Sequence, residues 1–492
     1  MGVGKQIKQL AEECVVYGLS GTVAKFIGVF LIPLYTRVFN PHDYGVMALI
    51  HTLTGLLGLF VVLGLDNSSA RWFYDSDDPA HRRCTISSWF WCQLTVASFI
   101  GLTLFLFAQQ VARVLLGSEE HTLLIRLAAL ALPLAAFGKV LGNWLRYQRR
   151  AWTTALFNTA ASLGSIGVIL VFVLVWRWGL VGVFSAGLVT SAITAIAALV
   201  ILRSWVSPTA VSWARLKDML AYGLPLIPAA LGSWITASSD RFVLRIFRDT
   251  SEIGLYSIAS SLASGVALIT GAFQMAWGPF AFSIHRGEGS SRVYAKVLSL
   301  YALGGCFLCT ALSLFAALIL RLLTTEQYLP AASSVPFLAF AFLLIGAQYI
   351  AALGPGIAKK STPIALSILI AACANVVLNF ALIPPLGKEG AAAATMLSYI
   401  CGVVYLFARS QKLYPLPFRF REAVTCFLFS WALIALDRLF LTGNGLIAVG
   451  VRMVMCALFV PLGLSLGIIA PRHFGRLLVH TPFRALMPAS WQ

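Results

Sequence analysis

Long runs of apolar residues, each close to twenty positions, recur along the whole chain and are separated by short polar segments. A helix needs roughly 20 apolar residues to cross the hydrocarbon core of a bilayer. The first half of the pattern predicts helices near residues 14–34, 44–65, 86–107, 122–143, 154–175, 179–201 and 219–239. The second half predicts helices near residues 253–280, 297–319, 331–353, 363–384, 387–408, 423–443 and 446–469.

The composition agrees with a membrane protein of many spans. Of the 492 residues, 59% are hydrophobic and only 11% are charged, whereas about 25% of the residues in soluble domains are charged. A soluble chain of this size needs more polar residues to cover its surface. These values exclude a soluble enzyme, a disordered scaffold and a disulfide-rich secreted domain. Cys306 and Cys309 have C-x-x-C spacing, but they lie in an apolar helix without a nearby His, which favours packing.

The net charge of +18 is distributed unevenly between the two ends of the predicted helices. If the N-terminus is cytoplasmic, 24 of the 36 Lys and Arg residues fall in cytoplasmic segments and nine fall on the opposite side. Basic residues collect in the cytoplasmic loops of membrane proteins. The bias therefore predicts fourteen spans with both termini in the cytoplasm. It also explains the positive charge without a nucleic acid partner.

The two halves of the chain resemble each other at an almost constant offset. Four pairs of residues or motifs match at 208 to 210 positions: Arg37 with Arg245, Gly45 with Gly254, Arg149 with Lys359, and Gly179 with Gly387. The offset contains six predicted helices, an even number, so the two repeats have the same orientation in the membrane. Several families of transporters are built from such parallel repeats.

These patterns predict an all-α polytopic membrane protein with about fourteen transmembrane helices. We expect two six-helix lobes related by an axis along the membrane normal, followed by two additional C-terminal helices. We place the N-terminal lobe at residues 1–210 and the C-terminal lobe at residues 211–415. The two extra helices and a cytoplasmic tail occupy residues 416–492.

Two segments carry a resemblance to a known family. Residues 31–45, Leu-Ile-Pro-Leu-Tyr-Thr-Arg-Val-Phe-Asn-Pro-His-Asp-Tyr-Gly, resemble the first-loop signature of polysaccharide transport proteins. Residues 222–228, Tyr-Gly-Leu-Pro-Leu-Ile-Pro, followed by Ser-Asp-Arg-Phe-Val-Leu at 239–244, resemble the signature of the second half. This family comprises the repeat-unit flippases for O-antigen, exopolysaccharide and related lipid-linked glycans. It belongs to the superfamily that includes the MATE drug exporters and the lipid II flippases.

The resemblance implies a transporter of the bacterial inner membrane that performs no chemistry on its substrate. The expected function is the transfer of an undecaprenyl-pyrophosphate-linked oligosaccharide from the inner to the outer leaflet by alternating access. The expected partners are this lipid-linked oligosaccharide, the membrane lipids and other polysaccharide assembly proteins. We expect no cofactor and no metal site.

Lys25 is the first candidate for substrate contact. An ionisable residue within a spanning helix costs about 2.5–3.5 kcal/mol on insertion scales, so its presence indicates a specific role. The neighbouring positions 18, 21, 22 and 28 on its helical face are Gly or Thr. We therefore expect Lys25 to face a cavity and to bind an anionic pyrophosphate. The alternative is a Lys that packs against a structural carboxylate or extends to the interface.

Four further residues are candidate substrate contacts. Asp240 and Arg241 end a helix that Pro225 is expected to kink, although adjacent Asp and Arg often form a local ion pair. Arg126 lies near the outer end of the fourth helix, where an interfacial anchor is the alternative. Asn375 lies in the eleventh helix, where amides often form hydrogen bonds to neighbouring helices.

Two other functions remain open at this point. A MATE-type drug or cation exporter would need acidic cavity groups, for which Asp240 is a candidate. A non-transport scaffold of a polysaccharide assembly complex would tolerate substitution of Lys25. The sequence contains no G-x-x-x-x-G-K-[S/T] phosphate-binding loop, so we expect the energy for transport to come from an ion gradient or from consumption of the product outside.

Overall fold

The computed structural model describes residues 31–469, apart from residues 286, 288, 442 and 444. Thirteen helices in this part of the chain are long and apolar enough to cross a membrane, and we number them α1–α13. The first six are α1 (Pro41–Tyr74), α2 (Pro79–Leu106), α3 (Thr122–Tyr147), α4 (Ala151–Val175), α5 (Gly179–Leu202) and α6 (Trp213–Ser238). The others are α7 (Thr250–Ile284), α8 (Ser290–Leu314), α9 (Val335–Ile357), α10 (Thr362–Leu386), α11 (Lys388–Leu413), α12 (Phe420–Phe440) and α13 (Leu446–Ser465).

Each of these thirteen helices corresponds to one predicted span, which confirms the all-α polytopic fold. The remaining predicted helix, 14–34, lies mostly outside the described residues, and its end belongs to a helical stretch at 31–38. The largest difference in length is in α1, which continues to Tyr74 rather than ending near residue 65. Hydropathy identifies only the apolar part of a helix, whereas backbone hydrogen bonding continues into the polar end.

Shorter helices connect several of the spans. Three are α-helical and lie close to one end of a span: Ala108–Leu116, Asp240–Phe247 and Ala316–Leu323. Two are 3₁₀ helices, at Pro208–Ala210 and Glu326–Ser333. Asp240–Phe247 follows α6 after Ser239, so that Asp240 stands at the beginning of a separate short helix rather than inside the preceding span.

Two spans are interrupted where they cross each other. In α1, Leu63 and Gly64 have left-handed φ values of 50° and 70°. In α6, the predicted kink is a 3₁₀ turn, Leu224–Leu226, that follows Gly223. A Cβ atom on Gly64 would overlap the carbonyl group of Gly223, so this crossing requires glycine. The bends in α1 and α6 are therefore in direct contact.

The backbone supports the predicted repeat. Arg149 and Lys359, 210 positions apart, both have a φ of 54°. The N–H of Arg150 donates to the carbonyl of Leu145 at 3.2 Å, and the equivalent N–H of Lys360 donates to the carbonyl of Pro355 at 2.9 Å. The helices that end at these basic pairs thus finish with the same left-handed turn. Gly179 and Gly387 also match, with φ values of 59° and 56°.

The contacts divide the described chain into two compact units. Unit 1 comprises residues up to Leu262 together with Leu323–Ala331 and Ile368–Ser398. Unit 2 comprises Ala263–Leu322, Ala332–Ser367 and the residues from Tyr399 onward. Unit 1 thus contains segments of both sequence repeats. The division into lobes at residues 210 and 415 stays a prediction.

Each unit has its own aromatic-rich core. In unit 1, α1, α2, α3, α5 and α6 contribute buried residues that include Phe73, Trp89, Phe90, Trp144 and Met219. In unit 2, α7, α8, α9 and the segment after α11 contribute Trp277, Tyr294, Leu298, Ile350 and Phe418. The two C-terminal helices of unit 2 are joined by a buried ion pair in which Arg452 Nε lies 2.7 Å from Asp437 Oδ1.

Candidate functional site

Unit 1 contains a cavity of about 780 Å³ between α1, α2, α3 and the middle of α6. We call it the large cavity. Apolar side chains and glycines form much of its wall. Its polar lining consists of two cations, one carboxylate, three amides and one phenol, which are Lys139, Arg146, Asp66, Asn67, Gln93, Asn143 and Tyr147. A cavity of this kind, mostly apolar with a few polar groups, is typical of a ligand site.

The cations of the large cavity lie on one face of α3. Ala136, Lys139, Asn143 and Arg146 all line the cavity and follow one another at intervals of three or four residues. This spacing places side chains above one another on a helix. From Lys139 to Arg146, one face of α3 is therefore polar and positively charged over about two turns, although the helix as a whole is apolar enough to span a bilayer.

The carboxylate of the large cavity neutralises only one of its two cations. Lys139 Nζ lies 3.2 Å from Asp66 Oδ2, and the two side chains are 48% and 25% exposed. Arg146 has no carboxylate within 4.0 Å in the part of the chain that the structure describes. Among the described residues, no carboxylate therefore occupies the exposed guanidinium group of Arg146, which can receive an anion.

A second cavity of about 460 Å³ adjoins the large cavity, and Gly55 lines both of them. Its polar wall comes from the helical stretch 31–38, α1, the end of α6, the short helix Asp240–Phe247 and the beginning of α7. It consists of Tyr35, Tyr44, His51, Thr52, Trp234, Ser238, Arg241, Ser257 and Ser261. Arg241 is its cation. The side chain of Arg241 is held there because its Nε donates to Ser257 Oγ at 3.4 Å.

Behind Arg241 lies a buried polar cluster centred on Asp240. The Asp240 carboxylate is only 1% exposed. It accepts hydrogen bonds from the hydroxyl of Tyr256 and from Thr395 Oγ1, the latter at 3.5 Å, and Arg241 Nη1 lies 3.5 Å from its other oxygen. Burial raises the pKa of this carboxyl, which stands just beyond the end of α6, and the Arg241 guanidinium opposes the increase.

Asn375 extends the same cluster into α10. Its Nδ2 donates to Thr395 Oγ1 at 3.5 Å, and its Oδ1 accepts from Ser239 Oγ at 3.2 Å and from Asn379 Nδ2 at 3.0 Å. Asn375 and Asn379 are fully buried. The cluster therefore links α10 and α11 to the junction after α6 through side-chain hydrogen bonds alone.

The structure brings three of the five predicted site residues together. Asp240, Arg241 and Asn375 belong to one cluster, and Arg241 lines the second cavity. Arg126 is exposed on α3, and its guanidinium carbon lies 5.5 Å from the ring centroid of Phe105. Lys25 lies outside the described residues. Its role and that of Arg126 stay predictions.

Several residues of the site were not singled out from the sequence. Lys139 and Arg146 are two of the 24 basic residues that the charge bias assigns to the cytoplasmic side. Their spacing with Asn143 marks a polar helix face, which a hydropathy averaged over the whole span does not reveal. Tyr256 and Thr395 lie 16 and 155 positions from Asp240 in the chain, so no local pattern links them to it. Among the described residues, no group of three or more His, Cys, Asp or Glu side chains is arranged to bind a metal ion.

Solved transporters have the same fold. The lipid II flippase MurJ, in an inward closed conformation, superposes with a TM-score of 0.72 over 92% of this chain and 100% of that chain, at 14% identity. A multidrug resistance MATE family transporter in an inward-facing conformation gives a TM-score of 0.62 over 81% of this chain and 95% of that chain, also at 14% identity. At such low identities the likeness establishes the fold alone.

Two curated proteins are similar in sequence. The succinoglycan biosynthesis transport protein ExoT of Rhizobium meliloti is 25% identical over 235 residues, which are 47% of this chain and 45% of that protein. The EPS I polysaccharide export inner membrane protein EpsE of Ralstonia nicotianae is 24% identical over 165 residues, 33% of this chain and 36% of that protein. The similarity thus spans less than half the length of either relative.

A family described as polysaccharide biosynthesis protein matches residues 10–285. The match covers more than half of the 492 residues, and it includes the helices that form the large cavity. Both motifs that carry the resemblance, at residues 31–45 and 222–244, lie inside it. The chain therefore belongs to the polysaccharide biosynthesis protein family and has the membrane-transporter fold of MurJ and the MATE proteins.

Proposed function

We propose that this protein moves an undecaprenyl-pyrophosphate-linked oligosaccharide across the bacterial inner membrane by alternating access. The large cavity is the observation that carries the proposal. Lys139 and Arg146 match the negative charge of a diphosphate, because cationic side chains form strong, charge-assisted hydrogen bonds to phosphate oxygens. Asn67, Gln93 and Asn143 supply the amide donors and acceptors that sugar hydroxyls require. The apolar remainder of the wall suits the first part of a lipid chain.

The charge distribution supports an orientation for this cavity. Arg146 lies near the end of α3 that the bias of basic residues assigns to the cytoplasm, close to Arg149 and Arg150. A lipid-linked glycan assembled at the inner leaflet would meet the large cavity at that side. Under the same orientation, the second cavity and the Asp240 cluster lie closer to the outer surface, further along the path of transport.

Contacts between the two repeats within unit 1 support a conformation in which the helix ends on the proposed outer side of the membrane are held together. Thr36 Oγ1 donates to the carbonyl of Leu323 at 3.5 Å. Arg245 Nε donates to the carbonyl of Leu115 at 3.1 Å. Leu115 and Leu323 are 208 positions apart and lie at the ends of the short helices Ala108–Leu116 and Ala316–Leu323. Each repeat therefore donates a hydrogen bond to the equivalent short helix of the other. Alternating access would require these paired contacts to open.

The drug-exporter alternative fits the two cavities less well. A cationic drug needs an accessible carboxylate, but Asp240 is buried behind Arg241, and Arg241 lines the second cavity. Asp66 is accessible in the large cavity, yet it is already paired with Lys139. The net positive lining favours an anionic substrate over a cationic one.

The test is to delete the gene and determine the leaflet in which the undecaprenyl-linked intermediate accumulates, together with the amount of surface polysaccharide. We expect the intermediate to accumulate on the cytoplasmic side and surface polysaccharide to be lost. Unchanged polysaccharide with increased drug sensitivity would support the exporter instead. Loss of polymer with the intermediate already outside would assign the protein to a later step of assembly.

A further inference from the structure

The Asp66–Lys139 ion pair lies immediately after the bend in α1. Asp66 follows Leu63 and Gly64, whose left-handed backbone ends one helical segment and begins another, Leu65–Tyr74. Lys139 belongs to the neighbouring α3. The pair therefore connects the short terminal segment of α1 to α3, across the large cavity that both residues line.

Only one of the two carboxylate oxygens of Asp66 has a partner in this ion pair. Asp66 Oδ2 contacts Lys139 Nζ at 3.2 Å. The other oxygen, Oδ1, is buried and has no hydrogen-bond partner within the described part of the chain. A carboxylate oxygen buried without a donor costs free energy. Lys139 is about half exposed, so an anion in the cavity can reach it without first displacing packed side chains.

We propose that Asp66 is a built-in competitor for the substrate, and that a diphosphate in the large cavity displaces it from Lys139 and releases the Leu65–Tyr74 segment. The proposal rests on the function proposed above and adds a trigger to it. Arg146, which has no carboxylate partner in the described chain and lies on the same face of α3 two turns away, makes the first contact with the anion. Lys139 then exchanges Asp66 for a phosphate oxygen.

The exchange has a mechanical consequence at the bend. A partly buried carboxylate that loses its cation is strongly destabilised, so Asp66 must turn toward water. Its backbone lies in a segment held to the neighbouring helices by several hydrogen bonds. Next to the bend, Ser68 Oγ donates to the carbonyl of Met219 at 2.7 Å and the Tyr147 hydroxyl donates to the carbonyl of Asp66 at 2.9 Å. At the far end, the Tyr74 hydroxyl donates to the carbonyl of Tyr147 at 2.8 Å. Rotation about Leu63–Gly64 moves the segment and breaks the contacts of Asp66 and Ser68, which lie next to the bend.

Farnesyl diphosphate, a short prenyl diphosphate, is a suitable probe for the full-length protein in detergent, with farnesol as the uncharged control. Binding is measured by calorimetry, and movement is measured by hydrogen–deuterium exchange of the amides in residues 65–74. In the wild type we expect farnesyl diphosphate, but not farnesol, to bind and to increase exchange in this segment. Failure of the diphosphate to bind, or binding without increased exchange, would overturn the proposal.

Substitutions separate competition from a merely structural role. Asp66→Asn removes the competitor, so we expect the Kd to fall by about two- to fivefold, the equivalent of a half-exposed ion pair, and exchange to be high before ligand is added. Lys139→Met also raises basal exchange but weakens binding by about tenfold. Asp77→Asn is the matched control, because Asp77 pairs with Arg82 outside the cavity, and we expect no change in Kd.

The double variant Asp66→Lys/Lys139→Asp tests whether the single substitutions act through loss of the ion pair or through a general defect in folding. It restores the ion pair with reversed polarity, so basal exchange should return to the wild-type level while binding stays weak. If Asp66→Asn binds the diphosphate no better than the wild type, Asp66 is a structural partner only, and the competitor role is wrong. That outcome leaves the flippase function intact, since the function is tested independently by the location of the lipid-linked intermediate in cells.

Discussion

The Cα atom of Gly45 faces the carbonyl group of Thr250 so closely that a Cβ atom at position 45 would overlap that oxygen. Gly254 is packed in the same way against the carbonyl of Pro41. Pro41 and Thr250 are 209 positions apart, as are Gly45 and Gly254. The first turns of α1 and α7 therefore meet in a self-complementary contact, the arrangement that a twofold axis produces between two copies.

Substitution of either glycine should destabilise the protein to a similar extent. We expect Gly45→Ala and Gly254→Ala each to lower the free energy of unfolding by about 1–3 kcal/mol, because an overpacked contact forces the backbone to shift. Thermal unfolding of the purified protein in detergent measures the effect. Gly58→Ala is the control in α1, since a Cβ atom there meets nothing within 4 Å, and it should be neutral or stabilising. Equal stability of all three variants would contradict close packing at this crossing.

The hydroxyl of Tyr256 should stabilise the buried Asp240 carboxylate. Tyr256 is 2% exposed, and its hydroxyl donates to Asp240. We expect Tyr256→Phe to lower the free energy of unfolding by about 1–3 kcal/mol, because it removes a donor from a buried acceptor. Tyr222→Phe removes the same atom from a tyrosine that is 41% exposed and should have little effect. A Tyr256→Phe variant as stable as the wild type would mean that the remaining donors satisfy Asp240.

Arg146 should be required for export. We expect Arg146→Ala to reduce surface polysaccharide about tenfold, since a hydrogen bond to a charged group contributes about 1.5–3 kcal/mol. The amount of protein in the membrane should not change, because the guanidinium has no ion-pair partner among the described residues. Arg150→Ala removes an exposed arginine outside the cavity and serves as the control in a complementation assay. Equal export by the two variants would argue against the large cavity as the diphosphate site.

Arg452 should contribute to stability rather than to transport. Its ion pair with Asp437 is nearly inaccessible, with side chains that are 6% and 13% exposed. We expect Arg452→Met to cost about 3–5 kcal/mol, because the substitution leaves a buried carboxylate without its cation. The double variant Arg452→Met/Asp437→Leu should recover much of this loss in thermal unfolding. If the double variant is as unstable as the single one, the cost comes from packing of the arginine and not from the charge.

The predicted role of Lys25 in binding the pyrophosphate rests on the sequence alone. If it binds the pyrophosphate, Lys25→Ala should abolish surface polysaccharide while the protein remains in the membrane. Complementation of the deletion strain, with immunoblots of the membrane fraction, measures both quantities. Export retained by this variant would assign Lys25 a structural or interfacial role.

Hydropathy and repeat offsets were sufficient for the fold because each depends on long stretches of sequence. An apolar run near 122–143 must become a helix in a membrane, whatever its neighbours are. The site depends instead on which helix faces meet. Thr395 donates a hydrogen bond to Asp240, which is 155 positions away in the chain, and no local sequence pattern predicts that contact. Asp66 directly follows the predicted end of a span near residue 65, but its partner Lys139 could be identified only after α1 and α3 had been placed side by side.

The matching left-handed turns at Arg149 and Lys359 also bear on how the chain enters the membrane. Glycine adopts this conformation at less cost than any residue with a Cβ atom, and helices commonly end with glycine for that reason. Here both turns carry a basic residue, followed by a second one. Folding stability alone would favour glycine at positions 149 and 359. Two positive charges at the end of a helical hairpin resist translocation during insertion, so we expect insertion of the chain, rather than stability of the finished fold, to favour basic residues at these two turns.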